Sequence, residues 1–169
     1  VRSNPANRCY HCKHAIFTAL LAAAKARGYD AVMDGTNASD DAGDRPGMRA
    51  LEELKVLSPL RLCGVTKAQV REYSRRAGLF TWNKPAYACL ATRIPTGTPI
   101  TDEDLNRVEG VEAALFALGF SDFRVRLFHG AARLQLPGAQ MAEAIARREE
   151  IRGALAPWIE IVMLDLKDR

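Results

Sequence analysis

Apolar positions in the first half of this chain fall in short blocks whose period switches between helix and strand. Residues 1–12 read as a loop, marked by Asn4-Pro5 and Asn7. Ile16, Phe17, Leu20, Leu21 and Ala24 then recur at helical spacing, which predicts a helix over about 14–27 stopped by Gly28. Ala31-Val32-Met33 reads as a short buried strand entering the loop Asp34-Gly35-Thr36-Asn37. Residues 38–46, rich in Asp and Gly, predict a mobile active-site or surface loop, and 47–54 a helix. Residues 56–62 are strand-like but interrupted by Pro59, and Thr66-Lys67-Ala68-Gln69 is a capping box opening a helix that ends near Gly78. This alternation is the signature of an α/β layer with parallel strands.

Pro85, Pro95 and Pro99 punctuate residues 83–100, which read as a connector. Beyond it Thr101 caps a helix with the apolar face Leu105, Val108, Val111, Leu115 and Leu118, stopped by Gly119. Phe123, Val125 and Leu127 alternate with Arg124 and Arg126 at the period of a strand. Residues 133–136 predict a second strand, 139–155 one or two helices, and 159–166 a final strand. The expected division is 1–100 and 101–169, the second part being a smaller α/β domain for substrate binding or oligomerisation.

At 169 residues the chain can bury a real core, and its net charge of +4 suits a phosphorylated small ligand without a clustered basic face for nucleic acid. No apolar run reaches membrane-spanning length. Four unevenly spaced cysteines make no secreted disulfide framework, so a cytoplasmic location is expected.

Several groups carry candidate chemistry. Cys89 lies in an apolar stretch with Lys84 five residues before and Arg93 four after. Flanking cations favour the reactive thiolate, while the apolar neighbours suit a packed cysteine equally well. Asp34-Gly35-Thr36-Asn37 is either a ligand-binding loop at a strand's carboxyl end or a tight turn. Arg124 and Arg126 leave one strand face about 6–7 Å apart, a spacing that suits phosphate or carboxylate; a solvated face with ion pairs is the alternative. Glu112 stands on the preceding helix, placed to orient an arginine or help hold a cation. Cys9-Tyr10-His11-Cys12 with His14 resembles half a zinc site, but Cys63 and Cys89 are isolated and provide no second pair. Cys63 reads as structural.

Taken together, Asn7-Arg8-Cys9-Tyr10-His11-Cys12-Lys13, Asp34-Gly35-Thr36-Asn37, Arg45-Pro46-Gly47-Met48-Arg49-Ala50, Ser58-Pro59-Leu60, the run from Lys84 to Pro95, Gly97-Thr98-Pro99-Ile100-Thr101 and Arg124-Val125-Arg126 resemble the ATP-dependent sacrificial sulfur transferases of the LarE type. The resemblance covers essentially the whole chain. It implies a PP-loop, Rossmann-like nucleotide-binding parallel sheet followed by a smaller α/β domain, with ATP and Mg2+ as cofactors. It implies a pyridinium dicarboxylate mononucleotide as substrate, a homo-oligomer, and neither nucleic acid nor membrane as partner. Cys89 would be the sulfur donor, Asp34, Gly35, Thr36 and Asn37 would line the nucleotide pocket, and Glu112, Arg124 and Arg126 would form the substrate-phosphate side of the catalytic site. Arg49 and Arg93 match family positions without an implied role. Some members of the family hold an iron–sulfur cluster on three cysteines; the connector around Cys89 has no second cysteine, which favours the sacrificial chemistry. The family's Ser-Gly-Gly-x-Asp-Ser phosphate loop is absent from this sequence, which starts at Val1; the expectation is a fragment of a longer protein, the alternative a degenerate relative that cannot hydrolyse ATP. The competing expectations are a tRNA thiolase using a persulfide on Cys9, Cys12 or Cys89, and a non-catalytic metal-binding fragment built on Cys9 and Cys12.

Overall fold

The computed structural model describes residues 1–40 and 46–169. Arg45 and most of the Asp- and Gly-rich stretch read as a loop lie outside the described residues. The chain is α/β and divides into two compact units, Val1 with Pro5–Lys84, and Arg2–Asn4 with Pro85–Arg169. The division falls at Lys84–Pro85 rather than near residue 100, because the Cys89 segment packs with the residues on its C-terminal side.

In the first unit α1 spans Arg8–Ala26 and α2 Pro46–Glu53. The helix α1 starts well before residue 14, so Cys9 and Cys12 lie in its first turns and not in a loop. Its polar opening was invisible to apolar periodicity, yet Arg8 N donates to Pro5 O at 2.9 Å and Tyr10 N to Asn7 O at 2.9 Å. Ala31–Met33 is not a buried strand. It contributes one parallel bridge, Met33 to Leu57, flanked by Leu57 N to Val32 O at 3.0 Å and Asp34 N to Leu57 O at 2.9 Å, and Met33 is 63% exposed. The expected strand over 56–62 ends at that bridge. Pro59, whose fixed φ suits the first helical position, instead opens the short helix α3, Pro59–Leu62. Thr66 caps α4, Lys67–Arg76, with both halves of the capping box formed, and Gly78 leaves it at φ +69°. The described residues of this unit therefore hold one parallel bridge and no sheet.

In the second unit Cys89 precedes a 3-10 turn, Leu90–Arg93, and Thr101 Oγ1 accepts from Asp104 N at the start of α5, Asp102–Ala117. Strand β1, Arg124–Phe128, turns back at His129-Gly130 (φ +48° and +80°) into β2, Ala131–Gln135. The pair is antiparallel, in register Arg124 to Gln135 and Arg126 to Arg133. Two helices, α6 (Gly138–Ala146) and α7 (Arg148–Leu155), lead to β3, Val162–Leu164, which lies parallel to β2. The sheet is thus mixed and three-stranded, in the order β1-β2-β3. One face carries Val125, Leu127, Ala132 and Leu134 into a core with Val108, Val111 and Leu115 of α5 and Ile151 and Leu155 of α7. The stripe read along α5 is the one that packs, and burying large aliphatic side chains stabilises the unit by roughly 1.5–3 kcal/mol each.

The segment Arg2–Asn4 is laid along the chain just beyond the 3-10 turn. Asn4 is fully buried at φ +54°, and its Nδ2 donates to Pro95 O at 2.9 Å and Thr98 O at 3.0 Å. Gly97 N returns a bond to Asn4 O at 2.8 Å, and Ile100 N donates to Arg2 O at 2.7 Å. Read from sequence as a simple turn signal, Asn4 instead organises the loop behind Arg93.

Candidate functional site

At the middle of the second unit is a buried ion pair, Arg93 with Glu112, each side chain 1% exposed. Glu112 lies on the core side of α5, one residue from Val111, so the helix that buries the apolar stripe buries this carboxylate too. Its Oε1 accepts from Arg93 Nε at 2.6 Å and Val125 N at 3.2 Å, and its Oε2 from Tyr87 Oη at 2.5 Å and a guanidinium nitrogen of Arg93 at 3.4 Å. Four donors surround the carboxylate, which satisfies a buried charge that would otherwise be very costly. Of the two roles open to Glu112 from sequence, the geometry shows the first: it orients an arginine, and that arginine is Arg93.

Cys89 is exposed at the head of the 3-10 turn. Its carbonyl accepts from Thr92 N at 2.9 Å and Thr92 Oγ1 at 2.8 Å, while Arg93 donates to Thr92 Oγ1 at 3.0 Å. The thiol therefore stands on a turn tied down from beneath. Arg93 is not a free cation beside it, because its charge is matched by Glu112. Tyr87, two residues before Cys89, lies over the Arg93 guanidinium at 5.4 Å. Burial, together with the bond to Glu112 and that group's charge, pushes the Tyr87 phenol up to about 12 against the opposing pull of Arg93.

Arg124 and Arg126 leave the face of β1 opposite the core, as their alternation with Val125 and Leu127 requires. Neither has a carboxylate at ion-pair distance among the described residues. Arg126 Nε donates to Gln135 Oε1 at 2.7 Å and another of its nitrogens to Thr92 O at 3.2 Å, which joins this strand to the turn bearing Cys89. Arg124 Nε is buried without a hydrogen-bond partner. Burial first, then repulsion from Arg169 and Arg93, pulls the Arg124 guanidinium below its usual value, and burial, Arg124, Arg133 and Arg93 do the same to Arg126. A strand face with two guanidinium groups clear of any carboxylate at ion-pair distance among the described residues, and with an unused donor, is chemically suited to an anion.

Asp34, Gly35, Thr36 and Asn37 belong to the first unit. Asp34 Oδ1 accepts from Ser58 Oγ at 2.7 Å and Thr36 N at 3.1 Å, and Oδ2 from Thr36 Oγ1 at 2.5 Å. Burial works to raise the Asp34 carboxyl, but these donors and the charge of Lys13 outweigh it and hold the group below the usual carboxylate range. Asn37 donates through N and Nδ2 to Asp40 Oδ2 at 3.0 and 2.9 Å. Among the described residues nothing lies within 4 Å of where a Gly35 side chain would begin, so the backbone is open to them there while its neighbours are pinned. Arg49, exposed on α2, pairs with Glu53 at 2.8 Å and lies over Tyr10 at 5.1 Å. Among the described residues no group of three or more His, Cys, Asp or Glu is assembled to hold a metal.

The structure thus brings Cys89, Glu112, Arg124 and Arg126 into one unit, and adds Arg93, Tyr87 and Thr92, which join the turn of Cys89 to Glu112 and Arg126. Sequence reading placed Tyr87 and Thr92 in the informative run without a role for either. The signal that could have found them is that both are hydrogen-bonding side chains within three residues of the thiol.

What the second unit defines is an α/β module carrying an exposed thiol on an anchored turn, with an arginine-bearing strand bonded to that turn. No family model matches the chain. It is 30% identical over 167 residues to the pyridinium-3,5-bisthiocarboxylic acid mononucleotide synthase of Lactiplantibacillus plantarum, covering 98% of this chain and 60% of that protein. It is 41% identical over 143 residues to an uncharacterised protein of Synechocystis, covering 85% of this chain and 53% of the relative. An uncharacterised protein of Methanocaldococcus jannaschii is 32% identical over 148 residues, with 88% and 58% covered. The chain therefore spans between 53% and 60% of the length of the curated relatives it matches. Among the described residues no helix is long and apolar enough to cross a membrane.

Proposed function

We propose that this chain belongs to the LarE-type sacrificial sulfur transferases and carries their sulfur-donor part, with Cys89 as donor and a pyridinium dicarboxylate mononucleotide as acceptor. The observation that carries this reading is the Arg126 bond to Thr92 O. It links an exposed thiol's turn to a strand face with two guanidinium groups that lack carboxylate partners among the described residues. Arg124 and Arg126 would take the substrate phosphate, leaving a carboxylate of the pyridinium ring to be activated.

In the reaction proposed, a substrate carboxylate oxygen attacks the α-phosphorus of ATP and pyrophosphate leaves. The Cys89 thiolate attacks the resulting acyl carbon, AMP departs, and a thioester joins protein and substrate. A base removes the Cys89 α-proton and the Cβ–S bond breaks, leaving dehydroalanine at position 89 and a thiocarboxylate on the product. Adenylation supplies the leaving group, and a thiolate is the most nucleophilic side chain that could use it. Asp34, Gly35, Thr36 and Asn37 would meet the nucleotide through the open backbone at Gly35. The Asp34 carboxylate is engaged by Ser58 and Thr36, and magnesium would arrive on the phosphate oxygens of ATP, neutralising charge there.

The test is intact-mass analysis of the complete protein after turnover with ATP and the mononucleotide. Loss of one H₂S, mapped to residue 89, is expected. Product formation with Cys89 intact refutes the assignment.

A further inference from the structure

Glu112 holds the Cys89 segment at both ends. Before the thiol, Tyr87 Oη donates to Oε2 at 2.5 Å; after it, Arg93 Nε donates to Oε1 at 2.6 Å. Residues 87–93 are therefore a short loop closed on one buried carboxylate, with exposed Cys89 between its two anchors. Tyr87 is itself half exposed, and its ring sits 6.3 Å from Phe116, which lies 4.6 Å from the core residue Phe123. Arg93 is fixed independently, by burial and by Thr92. The arm between Tyr87 and Cys89 makes no helical or strand hydrogen bonds of its own, so the phenol bond is what ties that side of the thiol down.

We propose that Tyr87 is a positioning residue for Cys89: by bonding to Glu112 it closes the loop that presents the thiol in one orientation. The role rests on the proposed use of Cys89 as donor. An attacking sulfur must approach an acyl carbon along a narrow range of directions, and a small misplacement is enough to slow such a step severely. A thiol tethered only through Arg93 would keep its exposure and lose its aim. Tyr87 acts through the backbone of Ala88 and Cys89.

The experiment compares the wild type with Tyr87→Phe, which keeps the ring over Arg93 and against Phe116 and deletes only the hydroxyl. Hydrogen exchange by mass spectrometry on the chain needs no substrate. Losing one charge-assisted hydrogen bond should raise exchange over residues 88–93 about tenfold or more, leaving the β1 amides unchanged. In the complete protein, the single-turnover rate of sulfur transfer at saturating mononucleotide should fall about tenfold while the mononucleotide concentration giving half that rate holds, since the arginine face is untouched. A simple stability defect would loosen β1 as well and would not separate the limiting rate from the half-saturating concentration. Unchanged exchange over 88–93 overturns the clamp, and faster exchange with an unchanged single-turnover rate overturns its positioning role. Should Tyr87→Phe aggregate, Tyr87→Trp, which also lacks a phenol but fills the space, is read in the same way. If mass analysis shows Cys89 intact after turnover, the donor assignment fails by itself, and the exchange result still judges the clamp.

Discussion

Replacing the Arg93–Glu112 pair one partner at a time, and then both together, tests whether it holds the second unit. Glu112→Leu leaves a buried guanidinium with only Thr92 Oγ1, and strands Val125 N. Arginine cannot shed its proton, so this variant should lose about 3–5 kcal/mol. Arg93→Met leaves a carboxylate that keeps two donors, Tyr87 Oη and Val125 N, and can also protonate, so its loss should lie nearer about 3 kcal/mol. The double variant removes both charges and leaves Val125 N as the buried orphan, which by itself costs about 1–3 kcal/mol. The double should therefore be more stable than either single, with a coupling of at least about 2 kcal/mol. Trp158 reports on this unit once the chain's other tryptophan, Trp82, is changed to Phe. Urea unfolding followed by its fluorescence should show the Glu112→Leu midpoint falling by about 2 M, given slopes of about 1–3 kcal/mol per molar. Single losses below about 1 kcal/mol that simply add in the double would refute the reasoning, since exposed pairs behave that way.

Arg124→Lys keeps the charge but loses the planar fork, so affinity for the mononucleotide should drop about tenfold or more by calorimetry; equal affinities remove Arg124 from the site. A methyl on Gly110 of α5 would collide with the Trp158 indole, so Gly110→Ala should shift Trp158 emission. It should also destabilise by up to about 2 kcal/mol, overpacking outweighing the helix-propensity gain of about 1 kcal/mol; a stabilised variant with unchanged emission contradicts this. The lowered Asp34 value means its contribution is fully present above the unfolded carboxyl value of about 3.9 and fades as pH falls through the folded one. Asp34→Asn should therefore lose stability at pH 7 and lose the acid limb in exchange of the Thr36 and Ala38 amides; parallel acid profiles for both proteins would count against the donors named.

Elements governed by local rules were legible in the chain. Thr66 and Gln69 announce their capping box, Thr101 its cap, and Val125 and Leu127 alternate with Arg124 and Arg126 as a one-sided strand must. What was not legible depended on distant partners. Arginine and glutamate default to the surface, so nothing local shows that Arg93 and Glu112 are buried against one another. Ala31–Met33 looked buried because short apolar runs bounded by turn residues usually are, whereas only a single bridge to Leu57 forms there. The candidate thiol was visible from its sequence neighbours; the bonds that hold its turn are not.

The placement of Asn4 has a practical consequence for dissecting this protein. The second unit is discontinuous in sequence: a few residues from before the first unit are built into it. Cutting at Lys84–Pro85 would not release it whole, because the carbonyls of Pro95 and Thr98 and the amide of Gly97 would lose their partner. An isolated piece that is to stay folded must carry Arg2–Asn4 along, grafted ahead of Pro85 through a short linker or supplied as a peptide.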